Sequence, residues 1–337
     1  MSALSLLKGF ASDAVTQSLE FKEDLCLRRR LNSYDCASCL DSCPAGALSL
    51  ANRQVQLDTE KCSGCMLCTV ACPNDAFEFQ NLAFEKCLFP DSKVKMSVIS
   101  CTRQTQIHPN EHVVPCLGGL SLEHLLVLGL TGSEVTAFNT SVCSDCENSL
   151  AADTFLNLVK NLQKRGGELL STKFIFLTEY EQITSFQNDN RRSFLSGFKN
   201  ALLSTISSQF SYSSDDFEEV VKKTRRIPKR VSLKRDIVKI VDEESKQLVS
   251  TLSDYHLEVN EDCSLCPLCT GICPTGAIRL DRSDGQKELL IDNTLCSGCG
   301  LCVLFCKQRA IKLSPPQMCC TREENPEGDM HLAKTCG

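Results

Sequence analysis

The middle of the chain, residues 94–210, alternates between short apolar runs and longer stretches with helical periodicity. The apolar runs predict strands, which lie at residues 94–100, 112–114, 134–139 and 173–178. The periodic stretches predict helices, which lie at residues 121–132, 147–167 and 191–210. In the second of these helices Phe155, Leu158, Val159 and Leu162 share one face, and Gly166 closes the helix. Strand–helix alternation with short connections predicts an α/β layer on a mostly parallel sheet.

Both ends of the chain repeat one short unit. The copies lie at residues 36–50, 62–79, 263–280 and 296–313. Each copy holds closely spaced cysteines, then a turn, then a short alternating segment that begins with Ala. The copies form two pairs, and a hairpin-like stretch separates the members of each pair. Repetition of this kind indicates that one structural unit is used several times.

The cysteine spacing in these units is typical of iron–sulfur ligands. The chain has 24 Cys and only 5 His among 337 residues, and its N-terminus has no secretory signal, so short spacings predict metal binding over disulfides. Cysteines at i, i+3 and i+6 can wrap one face of a cubane cluster, while a fourth at i+10 ligates the neighbouring cluster. Pro44, Pro73 and Pro274 follow this crossing cysteine, and Lys307 takes the position in the last unit. We expect Lys307 to change the local backbone more than the ligation. Zinc, which also binds C-x2-C pairs, is the alternative metal, although a crossing fourth cysteine is rare in zinc sites.

Each pair of units resembles a bacterial-type two-[4Fe-4S] ferredoxin domain. The resemblance implies a ferredoxin-like fold, electron-transfer chemistry and a ligand set for each cluster. The three complete sets it implies are Cys43, Cys62, Cys65 and Cys68; Cys263, Cys266, Cys269 and Cys306; and Cys273, Cys296, Cys299 and Cys302.

The fourth set is one cysteine short, because Ser33 stands where the first cysteine of the motif is expected. Cys36, Cys39 and Cys72 remain as ligands. The missing ligand is Cys26, ten residues before Cys36, or the site is a three-cysteine [3Fe-4S] cluster, or Ser33 ligates iron. An alkoxide suits a soft iron–sulfur core poorly. We therefore favour Cys26, carried to the site by a polar, basic segment that we expect to be a solvent-facing loop.

The central part has cysteines of its own, which follow the ends of predicted strands. They are Cys101, Cys116, Cys143 and Cys146. Open α/β sheets bind ligands at the carboxyl ends of their strands, so this placement predicts a fifth metal site. The set resembles that of the small iron–sulfur (delta) subunit of methyl-viologen-type hydrogenase and heterodisulfide reductase complexes, which implies a [2Fe-2S] cluster. Zinc and reduced structural thiols are the alternatives, and His112 and His124 are alternative ligands.

The segment before the second pair of units changes sharply from acidic to basic, with KKTRRIPKRVSLKR at residues 222–235. We interpret it as a solvated connection that leads into a helix over residues 236–252. The alternative is a docking strip for an acidic redox partner or for the protein's own anionic cluster domains. Because no aromatic residues interleave the basic ones, we do not expect nucleic-acid binding. The remaining cysteines lack ligand spacing and are predicted to be free thiols; they are Cys87, Cys319, Cys320 and Cys336.

These patterns together predict an α+β protein in which two ferredoxin-like dicluster domains flank a central α/β domain. The predicted limits are an N-terminal extension at 1–20, a dicluster domain at 21–90, the central domain at 91–210, a charged linker and helix at 211–255, a dicluster domain at 256–315 and a flexible tail at 316–337.

The chemistry of the chain points to electron transfer. The sequence has no P-loop, no G-x-G-x-x-G after a strand and no H-E-x-x-H, so it offers no substrate chemistry of its own. Four [4Fe-4S] clusters with their thiolates would move the formal charge from −6 to about −14, which favours basic docking surfaces on partners.

We therefore predict an electron-transfer subunit of a larger cytoplasmic oxidoreductase. Its partner subunits would be of the hydrogenase, molybdenum-enzyme or flavoprotein type. The alternatives are an iron–sulfur redox sensor, a maturation factor, or a reductase whose central cysteine site is catalytic. With no apolar run of membrane-spanning length, we predict no membrane span.

Overall fold

The computed structural model describes residues 19–79, 95–107, 111–179, 182, 225–282 and 286–319. The first pair of units folds into two small antiparallel sheets. Its elements are β1 (Leu19–Phe21), a 3-10 turn (Glu23–Leu25), α1 (Leu27–Arg30), α2 (Ser38–Asp41), β2 (Leu48–Ala51), β3 (Gln54–Leu57), α3 (Leu67–Ala71) and β4 (Phe77–Phe79). Strand β1 pairs with β4, and β2 forms a hairpin with β3. Because β1 starts at Leu19, this part begins two residues before its predicted limit.

The central part is an α/β layer built on a parallel sheet, as predicted. Its elements are β5 (Met96–Cys101), β6 (Glu111–Val114), a 3-10 turn (Leu117–Gly119), α4 (Leu122–Thr131), β7 (Val135–Asn139), α5 (Ser149–Arg165), α6 (Gly167–Leu170) and β8 (Phe174–Leu177). The strand order is β6-β5-β7-β8, and each neighbouring pair is parallel. The helix predicted over residues 191–210 lies outside the described residues.

Two helices connect the central part to the second pair of units: α7 (Lys229–Ile240) and α8 (Glu243–Ser253). The prediction of one helix over 236–252 is corrected in two respects. Helix α7 begins inside the basic segment, because Val231 and Ile237 lie on one buried face. This helix ends at Ile240. Asp242 is the N-cap of α8, because its side chain accepts a hydrogen bond from the Ser245 backbone N–H at 2.8 Å.

The second pair of units has the same topology as the first. Its elements are β9 (His256–Val259), α9 (Leu268–Ile272), β10 (Ile278–Asp281), β11 (Glu288–Ile291), a 3-10 turn (Asn293–Leu295), α10 (Leu301–Phe305), β12 (Ile311–Ser314) and a last 3-10 turn (Gln317–Cys319). Strand β9 pairs with β12, and β10 forms a hairpin with β11. Among the described residues, no helix is long and apolar enough to cross a membrane.

The largest core lies between the parallel sheet and the helices on one of its faces. Phe138 of β7 is fully buried there, and its ring meets that of Phe155 edge to face with centroids 4.8 Å apart. Helices α7 and α8 add Ile237, Val249 and Leu252 to the same core, which attaches the second pair of units to the central part. Met318 also packs into this core, so the predicted flexible tail is anchored at least as far as that residue.

Candidate iron–sulfur centres

All four units make the same turn after their crossing cysteine. The third residue after that cysteine has a positive φ in every unit: Gly46 at 58°, Asp75 at 48°, Gly276 at 78° and Arg309 at 52°. The expectation that Lys307 would alter the local backbone is therefore corrected. In the last unit the Arg309 N–H donates to the Cys306 carbonyl at 3.1 Å, matching the Gly46 N–H to the Cys43 carbonyl at 3.2 Å. The hydrogen bond fixes the turn in the absence of proline.

This turn aims a backbone N–H at the sulfur of the crossing cysteine. Ala47 donates to Cys43 Sγ at 3.3 Å, Ala76 to Cys72 Sγ at 3.2 Å and Ala310 to Cys306 Sγ at 3.4 Å. Hydrogen bonds to cluster sulfurs raise the reduction potential of iron–sulfur sites. In these three units the alanine that opens the alternating segment therefore supplies a donor, and its small side chain lets the backbone approach the sulfur. In the third unit the Ala277 N–H donates instead to Thr275 Oγ1 at 3.4 Å.

The fold brings Cys43, Cys62, Cys65 and Cys68 together, and we call this set group B. Burial raises the pKa of the Cys65 thiol, and the neighbouring charges of Cys43 and Cys62 raise it further. The pKa of Cys68 is likewise raised by burial and then by the other members of the group. Mutual coupling of this kind requires the sulfurs to be close, because screened charges act over about 10 Å or less. Group B matches the ligand set that the sequence resemblance implied.

Cys26, Cys36, Cys39 and Cys72 form a second set, group A. Burial raises the pKa of Cys39 to about 12, and the charges of Cys72, Cys36 and Cys26 add to the effect. Ser33, by contrast, is exposed. The structure therefore places Cys26, and not Ser33, beside the three remaining cysteines.

Cys26 also has the backbone setting of a motif cysteine. Its φ and ψ are −66° and 124°, and those of Cys296 are −70° and 124°. Each follows a 3-10 turn and donates its N–H to the residue three positions earlier, at 3.1 Å in both cases. The segment after Cys26 is not the solvent-facing loop that we expected. Leu27, Arg28 and Tyr34 are buried in it, because it packs against another part of the molecule.

The second pair of units forms two more sets. Group C is Cys263, Cys266, Cys269 and Cys306, and group D is Cys273, Cys296, Cys299 and Cys302. In group D, burial raises the pKa of Cys302, and the charges of Cys299, Cys296 and Cys273 raise it further. In group C, burial and then the charges of Cys266 and Cys263 raise the pKa of Cys269. Cys306 packs into the same hydrophobic cluster as Cys269.

The parallel sheet gathers Cys101, Cys116, Cys143 and Cys146 into a central group. Burial raises the pKa of Cys116 to about 12, followed by the charges of Cys101, Cys65 and Cys143. Burial also raises the pKa of Cys143 to about 12, with added effects from Cys101 and Cys146. Cys101 ends β5 and the other three follow strands, so the predicted juxtaposition at the carboxyl edge is what the structure shows.

Buried polar groups surround the central group. The Asn148 N–H donates to Cys146 Sγ at 3.4 Å. Asn139, which ends β7, is fully buried, and its Oδ1 accepts from the Ser141 backbone and hydroxyl at 3.2 and 2.8 Å. Among the described residues, nothing accepts a hydrogen bond from its amide Nδ2. A buried donor of this kind costs about 1–3 kcal/mol unless another group accepts from it, which fits an acceptor bound in the loop.

The two histidines lie away from this group. His124 accepts the backbone N–H of Ser121 through Nδ1 at 3.0 Å, so it caps helix α4. Burial lowers its pKa to about 4, which keeps the ring neutral and able to accept. His112 lies on strand β6, before Cys116, and burial lowers its pKa as well. Within the described part of the chain, no three His, Cys, Asp or Glu side chains converge closely enough to hold a single metal ion.

The central group packs directly on group B. Two side chains from the central part bind one carbonyl of the group B loop: Arg103 Nη2 donates to the Ser63 carbonyl at 2.7 Å and Asn148 Nδ2 to the same oxygen at 3.1 Å. Gly118 lies against this loop, and a Cβ there would lie 2.9 Å from the Cys65 carbonyl oxygen. Glycine is therefore needed for the two loops to approach.

The basic segment contacts the protein's own cysteine-rich units. This agrees with the interpretation of the segment as a docking strip for those units. Arg225 Nη2 donates to the Thr270 carbonyl at 2.7 Å in the second pair of units, and Arg230 Nη1 donates to the Val70 carbonyl at 3.1 Å in the first. Lys229 Nζ lies 3.3 Å from Glu78. The segment therefore holds both pairs, instead of running as a solvated connection.

A cavity of about 300 Å³ lies where the three parts meet. Its wall contains Cys296 of group D and the charged side chains of Arg230, Lys234 and Glu123. Lys234 is buried and forms a 2.6 Å ion pair with Asp254. Burial opposes ionisation of Glu123, but the Arg230 charge and the Ser121 hydroxyl hold its pKa below the ordinary range. Because Lys234 is paired with Asp254 and Arg230 with Glu123, the lining of the cavity favours neither a negatively nor a positively charged ligand.

Two models of known protein families match parts of the chain that contain cysteines of groups B, C and D. A 4Fe-4S dicluster domain model matches residues 262–310, and a 4Fe-4S binding domain model matches residues 55–78. These ranges contain all of groups C and D and three of the four cysteines of group B. The chain is therefore an iron–sulfur protein. It carries ferredoxin-type 4Fe-4S regions at both ends.

A relative shares part of this iron–sulfur protein. A segment of 51 residues is 41% identical to the "Putative oxidoreductase UacF" of Escherichia coli (strain K12). The match covers 15% of this chain and 8% of that protein. The chain therefore spans a small fraction of the relative's length. The resemblance of the central part to the delta subunit of hydrogenase complexes has no counterpart in these comparisons.

Two residues that lie at contacts between parts of this iron–sulfur protein were not predicted from the sequence. Gly118 has no motif around it that marks a close approach. Tyr34 is only 5% exposed, and burial raises its pKa, followed by the charges of Cys36, Cys299 and Cys72. The one available signal for Tyr34 was its place in the unusual segment between Cys26 and Cys36.

Proposed function

We propose that this protein carries four [4Fe-4S] clusters, held by groups A to D, and passes electrons as a subunit of a larger oxidoreductase. The observation that carries the proposal is the distribution of thiols. Each of the 20 cysteines whose side chains the structure describes belongs to group A, B, C or D or to the central group. Cysteines placed only for packing would not sort into sets of four.

The residues around each set suit a bound cluster. Burial is the main cause of the raised thiol pKa values, so the binding of metal to these cysteines would release protons. Burial also excludes water from the sulfurs. When bound, a [4Fe-4S] cluster supplies one-electron redox chemistry at a potential tuned by burial and by N–H donors to sulfur.

Cys26 completes group A in this proposal. The support is its backbone setting, which matches that of Cys296, and its coupling to Cys39. The exposed Ser33 leaves a three-cysteine [3Fe-4S] site as the remaining alternative.

The central group would hold a fifth, smaller centre, and we favour a [2Fe-2S] cluster over zinc. Four thiols suit both metals. The spacing of the thiols favours the cluster, because among the described residues no three such side chains lie close enough together to hold a single ion. The buried Asn139 amide could donate to a cluster sulfide or to a thiolate, so it supports a bound group of either kind.

The experiment is iron and sulfide analysis with EPR on protein purified without oxygen. Four cubanes require about sixteen irons, and a further two-iron cluster raises the total to about eighteen. Zinc in the central site would give about sixteen irons with one equivalent of zinc. A total of about eight or fewer after careful reconstitution would contradict the proposal, since half of the cysteine sets would then be empty.

A further inference from the structure

The segment between Cys26 and Cys36 is an insertion in an otherwise repeated unit. In the second pair of units, two residues separate the first cysteines, Cys263 and Cys266, whereas nine residues separate Cys26 and Cys36. The surrounding framework is the same in both places. The Lys22 N–H donates to the Ala76 carbonyl at 2.7 Å, as the Asn260 N–H does to the Ala310 carbonyl at 3.0 Å. The extra residues, 27–35, form α1 and the turn that returns the chain to Cys36.

This inserted segment is well ordered by its own hydrogen bonds. Arg28 is 8% exposed; its Nε donates to the Cys36 carbonyl at 2.5 Å and its Nη1 lies 3.4 Å from Asp35. The Tyr34 N–H donates to the Leu31 carbonyl at 3.0 Å. Because Arg28 ties the end of the segment to a group A cysteine, its position is fixed relative to that group.

The inserted segment also contacts the second pair of units, at group D. The Tyr34 hydroxyl donates to the Cys299 carbonyl at 2.6 Å, and Arg30 Nη1 donates to the Ile272 carbonyl at 3.4 Å. A hydrophobic cluster surrounds these bonds and includes a cysteine from each group: Leu27, Leu31, Tyr34, Cys36, Ile272, Cys299 and Leu301. Leu301 is fully buried by this contact. Within the described residues, Tyr34 therefore lies next to one cysteine of group A and one cysteine of group D.

We propose that the inserted segment is the positioning element that joins the two halves, and that Tyr34 holds group A against group D so that electrons cross between the halves there. This inference rests on the proposed function and adds an order to it. The central group contacts group B, group B shares a core with group A, and group D shares a core with group C. The order is therefore central group, B, A, D, C.

The electron balance at this contact is simple. With clusters bound by groups A and D, one electron would pass from one cluster to the other, and no bond would form or break. Tyr34 keeps its proton, because its hydroxyl donates a hydrogen bond to the Cys299 carbonyl. Tyr34 is thus a positioning residue and not a redox carrier.

Three variants test the proposal on the iron-loaded full chain. Tyr34→Ala removes both the ring and the hydroxyl, Tyr34→Phe removes the hydroxyl alone, and Ser33→Ala is the control in the same segment, because Ser33 is exposed. Iron content is measured first. Intramolecular electron redistribution is then followed by freeze-quench EPR after a pulse of less than one reducing equivalent, and hydrogen exchange is measured at residues 31–36 and 298–301.

We expect Tyr34→Ala to slow the redistribution between halves severalfold, because loss of the ring and the hydroxyl removes the contact that holds groups A and D together. Tyr34→Phe should restore most of the rate, and its hydrogen exchange should be about fivefold faster, as expected for one lost hydrogen bond. Ser33→Ala should match the wild type in all measurements.

Two results separate the inference from the proposed function. Full iron content with an unchanged rate and unchanged hydrogen exchange in Tyr34→Ala would overturn the positioning role and leave the electron-transfer proposal intact. Low iron in the reconstituted wild type would instead refute the electron-transfer proposal itself. If Tyr34→Ala loses iron, the comparison passes to Tyr34→Phe, where unchanged exchange at 298–301 would overturn the inference.

Discussion

Replacing Cys26 with Ala gives the sharpest test of how the incomplete unit is completed. Cys26 lies in group A, where its charge contributes to the raised pKa of Cys39. Its side chain is half-buried and small, so we expect the variant to lose about 1 kcal/mol of folding stability and to remain folded. The large effect should fall on the metal content. Three cysteines would remain, and they suffice for a three-iron cluster but not for a cubane with four thiolate ligands.

The expected iron content follows from this count. The wild-type total from groups A to D is about sixteen, and the variant should hold about fifteen irons if group A keeps a three-iron cluster, or about twelve if it empties. EPR distinguishes these results, because an oxidised three-iron cluster is paramagnetic and an oxidised cubane is not. Ser33→Ala is the matched control and should retain all the iron. An unchanged iron content and an unchanged spectrum in Cys26→Ala would refute the reasoning and return the site to a three-cysteine cluster.

Other predictions concern the junctions and the helix cap. Gly118→Ala should lower stability by about 1–3 kcal/mol in thermal unfolding, because the added Cβ would meet the Cys65 carbonyl oxygen at 2.9 Å; an unchanged melting temperature would contradict this close approach. Lys234→Ala should cost about 3–5 kcal/mol in urea unfolding by leaving Asp254 buried and unpaired, whereas Lys234→Met combined with Asp254→Leu should recover much of the loss. The pKa of His124 in the folded protein is about 4, below its ordinary value of 6.5. The neutral ring therefore adds to the free energy of unfolding above pH 6.5, and this stabilisation is lost as the pH falls towards 4. That contribution is at most about 3 kcal/mol, and His124→Gln, which keeps an acceptor but does not titrate, should show a correspondingly flatter acid-unfolding curve.

The central sheet was predicted well from the sequence, because its strands are short apolar runs separated by turns and by helices with a clear periodicity. The predicted strand at 134–139 is observed at Val135–Asn139, and the predicted closure of the long helix at Gly166 is observed after Arg165. The approach of the central cysteines to one another also followed, because parallel strands bring their carboxyl ends to one edge. Local periodicity and topology were sufficient for both predictions.

The sequence failed where distant parts of the chain meet. The Tyr34 hydroxyl and the Cys299 carbonyl are 265 positions apart, and neither residue type reveals its partner. The segment around Tyr34 contains three consecutive arginines, which favoured a solvent-facing loop. Arg28 is nevertheless buried, because its guanidinium is satisfied by the Cys36 carbonyl and Asp35. The composition of a segment predicts how well the isolated segment is solvated. It does not show which of its charged side chains find partners when the chain folds.

The break between α7 and α8 was missed for a related reason. The residues 236–252 fit one amphipathic pattern, so periodicity alone favoured a continuous helix. Asp242, however, competes for the backbone as an N-cap, and its side chain accepts the Ser245 N–H. The capping residue decided the structure, and the two shorter helices can then pack on the central core and on the second pair of units at the same time.

The asymmetry between the two pairs of units bears on where partners should dock. The pairs share one topology, but only the first has the insertion. The inserted segment lies between group A and group D and contacts both. Group C then lies at one end of the order and the central group at the other. Every group contains at least one half-buried cysteine, with Cys263 and Cys266 at one end of the order and Cys143 and Cys146 at the other among them. Because the contact at Tyr34 turns groups A and D towards each other, we expect redox partners to approach the two ends of the order and not this contact.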